Sequence, residues 1–159
     1  MIGMLRGLSG QKYSPVTYVV ANTDTSSLVR LSHASNVLDG AETYIHKIPR
    51  SREVKQGWIS TIFSTLRASI WSIHLIFKIN PELILVNGPG TCVPICGAAV
   101  LVRILGFGNP TIIFVESFCR VKSLSLSGKI IYPFADRFIV QWPEIKETYS
   151  RVEFLENLY

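Results

Sequence analysis

Cysteine is scarce in this sequence: Cys92, Cys96 and Cys119 are the whole complement, each in an apolar setting. That excludes a disulfide framework, so the chain is read as belonging to a reducing compartment, with three buried thiols acting as small hydrophobes. Histidine is equally sparse, and none of His33, His46 and His74 stands at ligand spacing from a cysteine, so no metal site is expected. There is no internal repeat, linker or low-complexity segment, and no signal-peptide pattern is read at the start. Acidic residues are the minority sign, 11 against 16 Lys and Arg, a balance that suits anionic partners such as phosphates, nucleic acid or acidic lipid headgroups.

Apolar residues, by contrast, are plentiful. They make up 48% of 159 residues, enough for one domain that buries roughly 70% of the surface its unfolded chain exposes. The mean hydropathy of +0.31 fits a buried sheet, a large interface or a membrane surface. Leu83 to Val102 carries no charge over a span long enough for a transmembrane helix. The Asn87-Gly88-Pro89-Gly90 turn inside it would leave backbone groups unpaired in lipid, so it reads instead as a buried strand, Leu83 to Val86, a tight turn, and a helix opened by Thr91. In an open α/β sheet such a junction lies at the carboxyl end of a strand, where ligands bind.

Along the chain, Met1, Met4, Leu5 and Leu8 repeat at helical spacing until Gly7, Ser9 and Gly10 end the pattern. Val16 to Ala21 is a β-branched strand closed by Asn22-Thr23-Asp24, Thr25 to Ala41 is a polar connection without a clear assignment, and Tyr44 to Ile48 is a second strand. Trp58 to Lys78 is one amphipathic helix, with Ile59, Ile62, Phe63, Leu66, Ile70, Ile73 and Phe77 on one stripe and Ser60, Ser64, Arg67, Ser72 and Lys78 largely opposite. The stripe is expected to cover a sheet; Trp58 and Trp71, partly off it, keep a membrane-surface role open. Further strands are expected at Thr111 to Val115 and Phe138 to Gln141, with a short helix at Lys129 to Phe134, a helical turn after Pro143 and a last apolar piece from Val152 to Leu158. Strands alternating with helices, each strand apolar on both faces, predict an α/β fold with a parallel sheet, as a single domain over residues 1–159.

Four stretches, IPRSREV at 48–54, VNGPGTCVPIC at 86–96, FVES at 114–117 and DRFIVQWPEIK at 136–146, together resemble one family. It is the anchoring, non-catalytic subunit of the eukaryotic UDP-N-acetylglucosamine transferase that adds the second sugar to dolichol diphosphate. The resemblance runs through nearly the whole chain in order. It implies the Rossmann-like, N-terminal-half part of a GT-B glycosyltransferase split between two polypeptides, in which this chain handles the lipid acceptor and a separate catalytic subunit binds UDP-N-acetylglucosamine. The implied partners are that subunit as a heterodimer, dolichol-diphosphate N-acetylglucosamine and the cytosolic face of the endoplasmic reticulum membrane, with no nucleic acid and no cofactor. Members typically begin with a membrane-spanning helix, a strand and a Gly-Ser-Gly-Gly-His-Thr type loop, none of which is in this sequence. The chain is therefore expected to be a shortened isoform or an incomplete gene model, with first strand and anchor missing. Val16 to Ala21 and Leu83 to Val86 would then each lack a pairing neighbour.

Candidate sites follow. Gly88 and Gly90 let backbone approach a ligand, and the amides after Thr91 could donate to a diphosphate oxygen; a tight corner without a ligand is the alternative. Arg50 and Arg52 lie in the most basic window, HKIPRSREVK, read either as a solvated loop or as a phosphate or acidic-lipid site. Glu116, at a strand's carboxyl end, is expected to serve as a structural carboxylate paired with Arg120 or a helix N-terminal amide, with general base for an acceptor hydroxyl as the alternative. Asp136 and Gln141 flank the last parallel strand as scaffold or interface residues. From the resemblance, Phe154, Leu155, Leu158 and Tyr159 are expected to dock on the catalytic partner, although Glu156 and Asn157 stand where members commonly carry glycine. The rival readings are a self-sufficient bacterial-type polysaccharide glycosyltransferase component and a nucleotide-binding module unrelated to sugars. One Rossmann-like half without a donor domain weighs against the first, and the missing phosphate loop against the second.

Overall fold

The computed structural model describes residue 5 and residues 9–33, 40–49, 58–88 and 90–156. The helical repeat expected at Met1 to Leu8 lies, but for Leu5, outside the described residues. Packing divides the chain into two compact units, one within Met1–Arg50 and one within Ser51–Asn157.

The first unit holds strand β1 (Val16–Ala21), helix α1 (Thr25–His33) and strand β2 (Thr43–Ile48). β1 and β2 pair in parallel, Val16 opposite Thr43 and Ala21 opposite Ile48. A parallel pair needs a crossover, and α1 supplies it. Its start is written at Asp24, whose Oδ1 accepts the Ser27 amide at 3.0 Å while Oδ2 accepts the Ser27 hydroxyl at 2.6 Å. This N-cap makes a helix of residues the sequence left unassigned, because the Asp-x-x-Ser signal is short and the segment behind it is polar.

The second unit is a four-stranded parallel sheet in the order β3 (Leu83–Asn87), β4 (Thr111–Val115), β5 (Arg137–Val140) and β6 (Val152–Phe154). Its inner strands are apolar on both faces: Ile112, Phe114, Val115, Phe138 and Val140 are buried, and Phe114 stacks on Phe138 with ring centroids 4.7 Å apart. The crossovers are helix α3 (Cys92–Ile104), helix α4 (Leu126–Ile131) and helix α5 (Pro143–Thr148). β6 corrects the expectation that β5 is the last parallel strand. Val152-Glu153-Phe154 pairs with Phe138 to Val140, and Arg137 Nε donates to Glu153 Oε1 across the pair at 2.9 Å. At three residues, β6 is too short to announce itself by alternation. α4 also begins earlier than Lys129, because Ser125 caps it by accepting the Gly128 amide at 3.0 Å. Among the described residues β1 pairs only with β2 and β3 only with β4, so each has one edge without a sheet neighbour.

Helix α2 (Trp58–Ile79) lies along α3 and ends at Asn80, whose φ of 44° is the left-handed conformation that closes helices before Pro81. Its orientation overturns the expected one. The buried line is Ala68, Ser72, Leu75 and Ile76, whereas Phe63, Leu66, Ile70 and Phe77 of the supposed core stripe face outward with Trp71. Ser72, expected on the polar side, is fully enclosed. The helix has two apolar faces, and small side chains, which let helices approach closely, mark the packed one.

Candidate functional site

The Leu83–Asn87 strand delivers its carboxyl end to the turn at Gly88. There φ is +60°, a conformation natural to glycine, and a Cβ would meet Ser117 Cβ at 3.4 Å and its amide nitrogen at 3.5 Å. The ends of β3 and β4 thus come together as backbone, with Gly88 beside Ser117. Gly90 is exposed in the turn and Thr91 half-buried at its end. Thr91 sits at the N-cap with φ −63° and ψ −21°, and its side chain makes no capping bond. At the start of α3 the Val93 amide already donates to the Gly90 carbonyl at 3.2 Å and Pro94 carries no N–H, so the helix dipole, more than a set of free amides, is what favours negative charge at the sheet's carboxyl edge. Pro94, in the first turn, is tolerated because an amide there has no intrahelical acceptor.

Glu116 follows β4 and is 1% exposed. Its Oε1 accepts the Ser117 amide at 2.8 Å, and its Oε2 accepts both the Ser125 amide at 2.9 Å and the Ser125 hydroxyl at 3.1 Å. Neither oxygen faces an open cleft. The geometry gives Glu116 a structural task of the expected kind, through backbone amides beside a helix N-terminus. It ties the segment after β4 to the start of α4. Gly128 completes the cluster, since a Cβ there would stand 2.4 Å from Glu116 Oε2. Ser125 and Gly128 were not singled out in the sequence; the cap spacing Ser125-x-x-Gly128 is the signal that marks them.

Two further bonds fasten the rim. Gln141 Nε2 donates to the Glu116 carbonyl at 3.2 Å, and Trp142 Nε1 donates to the Phe118 carbonyl at 2.7 Å while its ring lies 5.1 Å from that of Phe118. Gln141 accordingly serves as scaffold. Asp136 does so at the opposite end of β5, where its Oδ2 accepts the Ile112 amide at 2.8 Å and Arg103 at 2.7 Å. Partial burial alone would raise its pKa, but the Ile112 amide and the Arg103 guanidinium outweigh that and hold it below its ordinary value.

Two of the three thiols, Cys92 and Cys96, are buried. Burial pushes Cys92 and Cys96 up to about 12. Cys119, expected to be buried, is exposed in the segment after β4. Among the described residues no group of three His, Cys, Asp or Glu is placed to hold a metal ion. Phe154 is half-buried on the edge strand β6 and Leu155 is exposed beside it. Arg50, Arg52, Leu158 and Tyr159 lie outside the described residues.

Residues 1–158 match the family described as "Oligosaccharide biosynthesis protein Alg14 like". The chain belongs to the Alg14 family. It is 47% identical to "UDP-N-acetylglucosamine transferase subunit ALG14" of Rattus norvegicus, an alignment that covers 99% of this chain and 76% of the relative. It is 48% identical to the protein of that name from Homo sapiens, over 97% of this chain and 74% of the relative. Among solved structures, Acinetobacter baumannii MurG superposes with a TM-score of 0.64 at 15% identity, covering 91% of this chain and 38% of that one. The likeness is one of fold. It agrees with the all-parallel α/β sheets and is consistent with the Rossmann-like GT-B half that the resemblance implies.

Proposed function

We propose that the chain is the non-catalytic subunit of a two-chain UDP-N-acetylglucosamine transferase, acting as one Rossmann-like domain over residues 1–159. It recruits a catalytic, UDP-N-acetylglucosamine-binding subunit to the cytosolic face of the endoplasmic reticulum membrane, as a heterodimer, and helps bind dolichol-diphosphate N-acetylglucosamine in the second step of lipid-linked oligosaccharide synthesis. The observation that carries this reading is that relatives 47% and 48% identical, over nearly all of the chain, are named as subunits of that transferase. The site supports it: Gly88 brings backbone to the rim, where the positive end of the α3 dipole suits a phosphate, while Glu116 is spent on Ser117 and Ser125 and two thiols are buried.

In this reading Gly88, Gly90 and Thr91 face the acceptor diphosphate, Arg50 and Arg52 pair with its charge or with acidic headgroups, and Phe154, Leu155, Leu158 and Tyr159 meet the catalytic subunit. The test is transfer from UDP-N-acetylglucosamine to detergent-dispersed dolichol-diphosphate N-acetylglucosamine with this chain alone, the catalytic subunit alone, and both. Activity is expected only with both. Turnover by this chain alone would overturn the non-catalytic assignment, and equal turnover by the catalytic subunit with and without it would overturn the subunit role.

A further inference from the structure

The segment between β4 and α4 carries a charged feature that the candidate site leaves unused. From Ser117 to Ala135 the sequence holds no acidic residue, yet it holds Arg120, Lys122 and Lys129. Arg120 is the partner that the sequence offers Glu116, but the carboxylate turns both oxygens to Ser117 and Ser125, and Arg120 stays exposed. Lys122 is exposed as well, and among the described residues neither cation has an ion-pair partner. The other arginines beyond β3 are spent: Arg103 on Asp136, Arg137 on Glu153, and Arg151 on the carbonyls of Pro133 and Ala135.

The segment is fastened at both ends. The Ser117 and Ser125 amides close it on the two oxygens of Glu116, and Leu124 is buried beneath it. The Arg120 amide donates to the Ser117 carbonyl at 2.9 Å, which folds Arg120 back towards the residue beside Gly88. Phe118 is fixed too: its carbonyl accepts Trp142 Nε1 at 2.7 Å and its ring lies 5.1 Å from that of Trp142, while 56% of the residue remains in solvent. Two cations and an exposed ring at the carboxyl edge of a parallel sheet are the elements of a ligand site. Guanidinium and ammonium bind phosphate oxygens, and an apolar ring face takes the C–H face of a sugar. A loop already ordered in the free protein binds at a lower entropic cost.

From this geometry we infer that Phe118, Arg120 and Lys122 form a binding site for a glycosyl diphosphate, with the two cations on the diphosphate and the Phe118 ring against the sugar. The inference rests on the reading of the chain as the acceptor-handling subunit, and it adds to Gly88, Gly90 and Thr91 the side chains that recognise the acceptor. A diphosphate is common to the lipid-linked acceptor and the nucleotide-sugar donor; the acceptor is the one that this reading gives to the present chain. Transfer takes place at the sugar, so contacts to the diphosphate are equal in the ground and transition states. Their loss therefore falls on KM and spares kcat.

The test has two arms. In the two-chain transfer assay, Arg120→Gln with Lys122→Gln should raise the acceptor KM by at least about tenfold, the effect of losing charge-assisted hydrogen bonds, with kcat and the KM for UDP-N-acetylglucosamine unchanged. Lys78→Gln, which removes an exposed charge just ahead of β3, should leave all three unchanged. In equilibrium binding to the full chain alone, the double variant should weaken detergent-dispersed phytanyl diphosphate and phytanyl-diphosphate N-acetylglucosamine alike. Phe118→Ala should weaken only the sugar-bearing lipid, by about threefold or more, and Phe118→Tyr should restore it. No lipid binding by the parent, or an acceptor KM or lipid affinity in the double variant equal to the parent's, would overturn the inference. So would a rise in the donor KM instead, which would give the cations to the nucleotide, or loss of co-purification with the catalytic subunit at unchanged lipid binding, which would give the segment to a protein. Equal weakening of both lipids by Phe118→Ala would remove the sugar contact. If the two parent chains together show no transfer, the subunit role fails, and the binding arm, which needs no partner, still decides the site.

Discussion

Substituting alanine for glycine in a helix ordinarily stabilises it by up to about 1 kcal/mol, and at Gly128 we expect the opposite sign. The new Cβ would stand 2.4 Å from Glu116 Oε2, 3.1 Å from Ser125 Oγ and 3.3 Å from Phe138 Cζ. Ordinary contact requires Oε2 to retreat by about 1 Å. The Ser125 amide and hydroxyl, now at 2.9 and 3.1 Å, would then pass beyond hydrogen-bond range. A hydrogen bond to a charged group contributes about 1.5–3 kcal/mol. Losing two, with partial relaxation, outweighs the helical gain and leaves a net destabilisation of roughly 1–3 kcal/mol. Gly97 in α3 is the control, because it is exposed and a Cβ there meets nothing within 4 Å. Urea denaturation followed by tryptophan fluorescence should place the Gly128→Ala midpoint below that of the parent and the Gly97→Ala midpoint at or above it. A Gly128→Ala protein as stable as Gly97→Ala would refute the argument that Glu116 is pinned.

Asp136 has a folded pKa below its ordinary 3.8, so its pairing contributes stability above that pH and loses it as pH falls through the folded value. An acid titration of Asp136→Asn should therefore show a shallower decline below about pH 4 than the parent, and identical acid limbs would remove the claim. With Cys92 and Cys96 at about 12, a thiol reagent at pH 8 should label Cys119 alone in the native chain and all three in urea, and fast labelling of more than one native thiol would contradict their burial. Removing the α1 cap by Asp24→Ala should lower stability by about 1 kcal/mol, measured by denaturant midpoint, and no change would show that Ser27 finds another acceptor.

Where the sequence spoke through long apolar runs, it specified structure closely. Leu83 to Val86, Thr111 to Val115 and Phe138 to Val140 are inner or edge strands of one parallel sheet, and the break at Asn87 to Gly90 is where the chain turns. Short or polar elements were silent. α1 depends on a single Asp24 cap, α4 on Ser125, and β6 on three residues whose partner lies outside their own window. Periodicity registers only elements that repeat. The role of Glu116 was open for a related reason, since its strand-end position suits catalysis and scaffold alike. The deciding partners, Ser125 and Gly128, lie nine and twelve residues on, brought back by the start of α4.

α2 exposes a different limit. Counting apolar residues at helical spacing finds a stripe, and the stripe found here is real: Phe63, Leu66, Ile70 and Phe77 do share a side. What the count cannot supply is which side the protein packs. In a soluble helix the larger stripe normally wins, because burying it removes more apolar surface from water. In α2 the enclosed line is Ala68 and Ser72 with Leu75 and Ile76, where small side chains let α2 approach α3, and the larger stripe stays in solvent. A fold that leaves its most apolar stripe outside forgoes stabilisation of about 1.5–3 kcal/mol for each such side chain if fully buried.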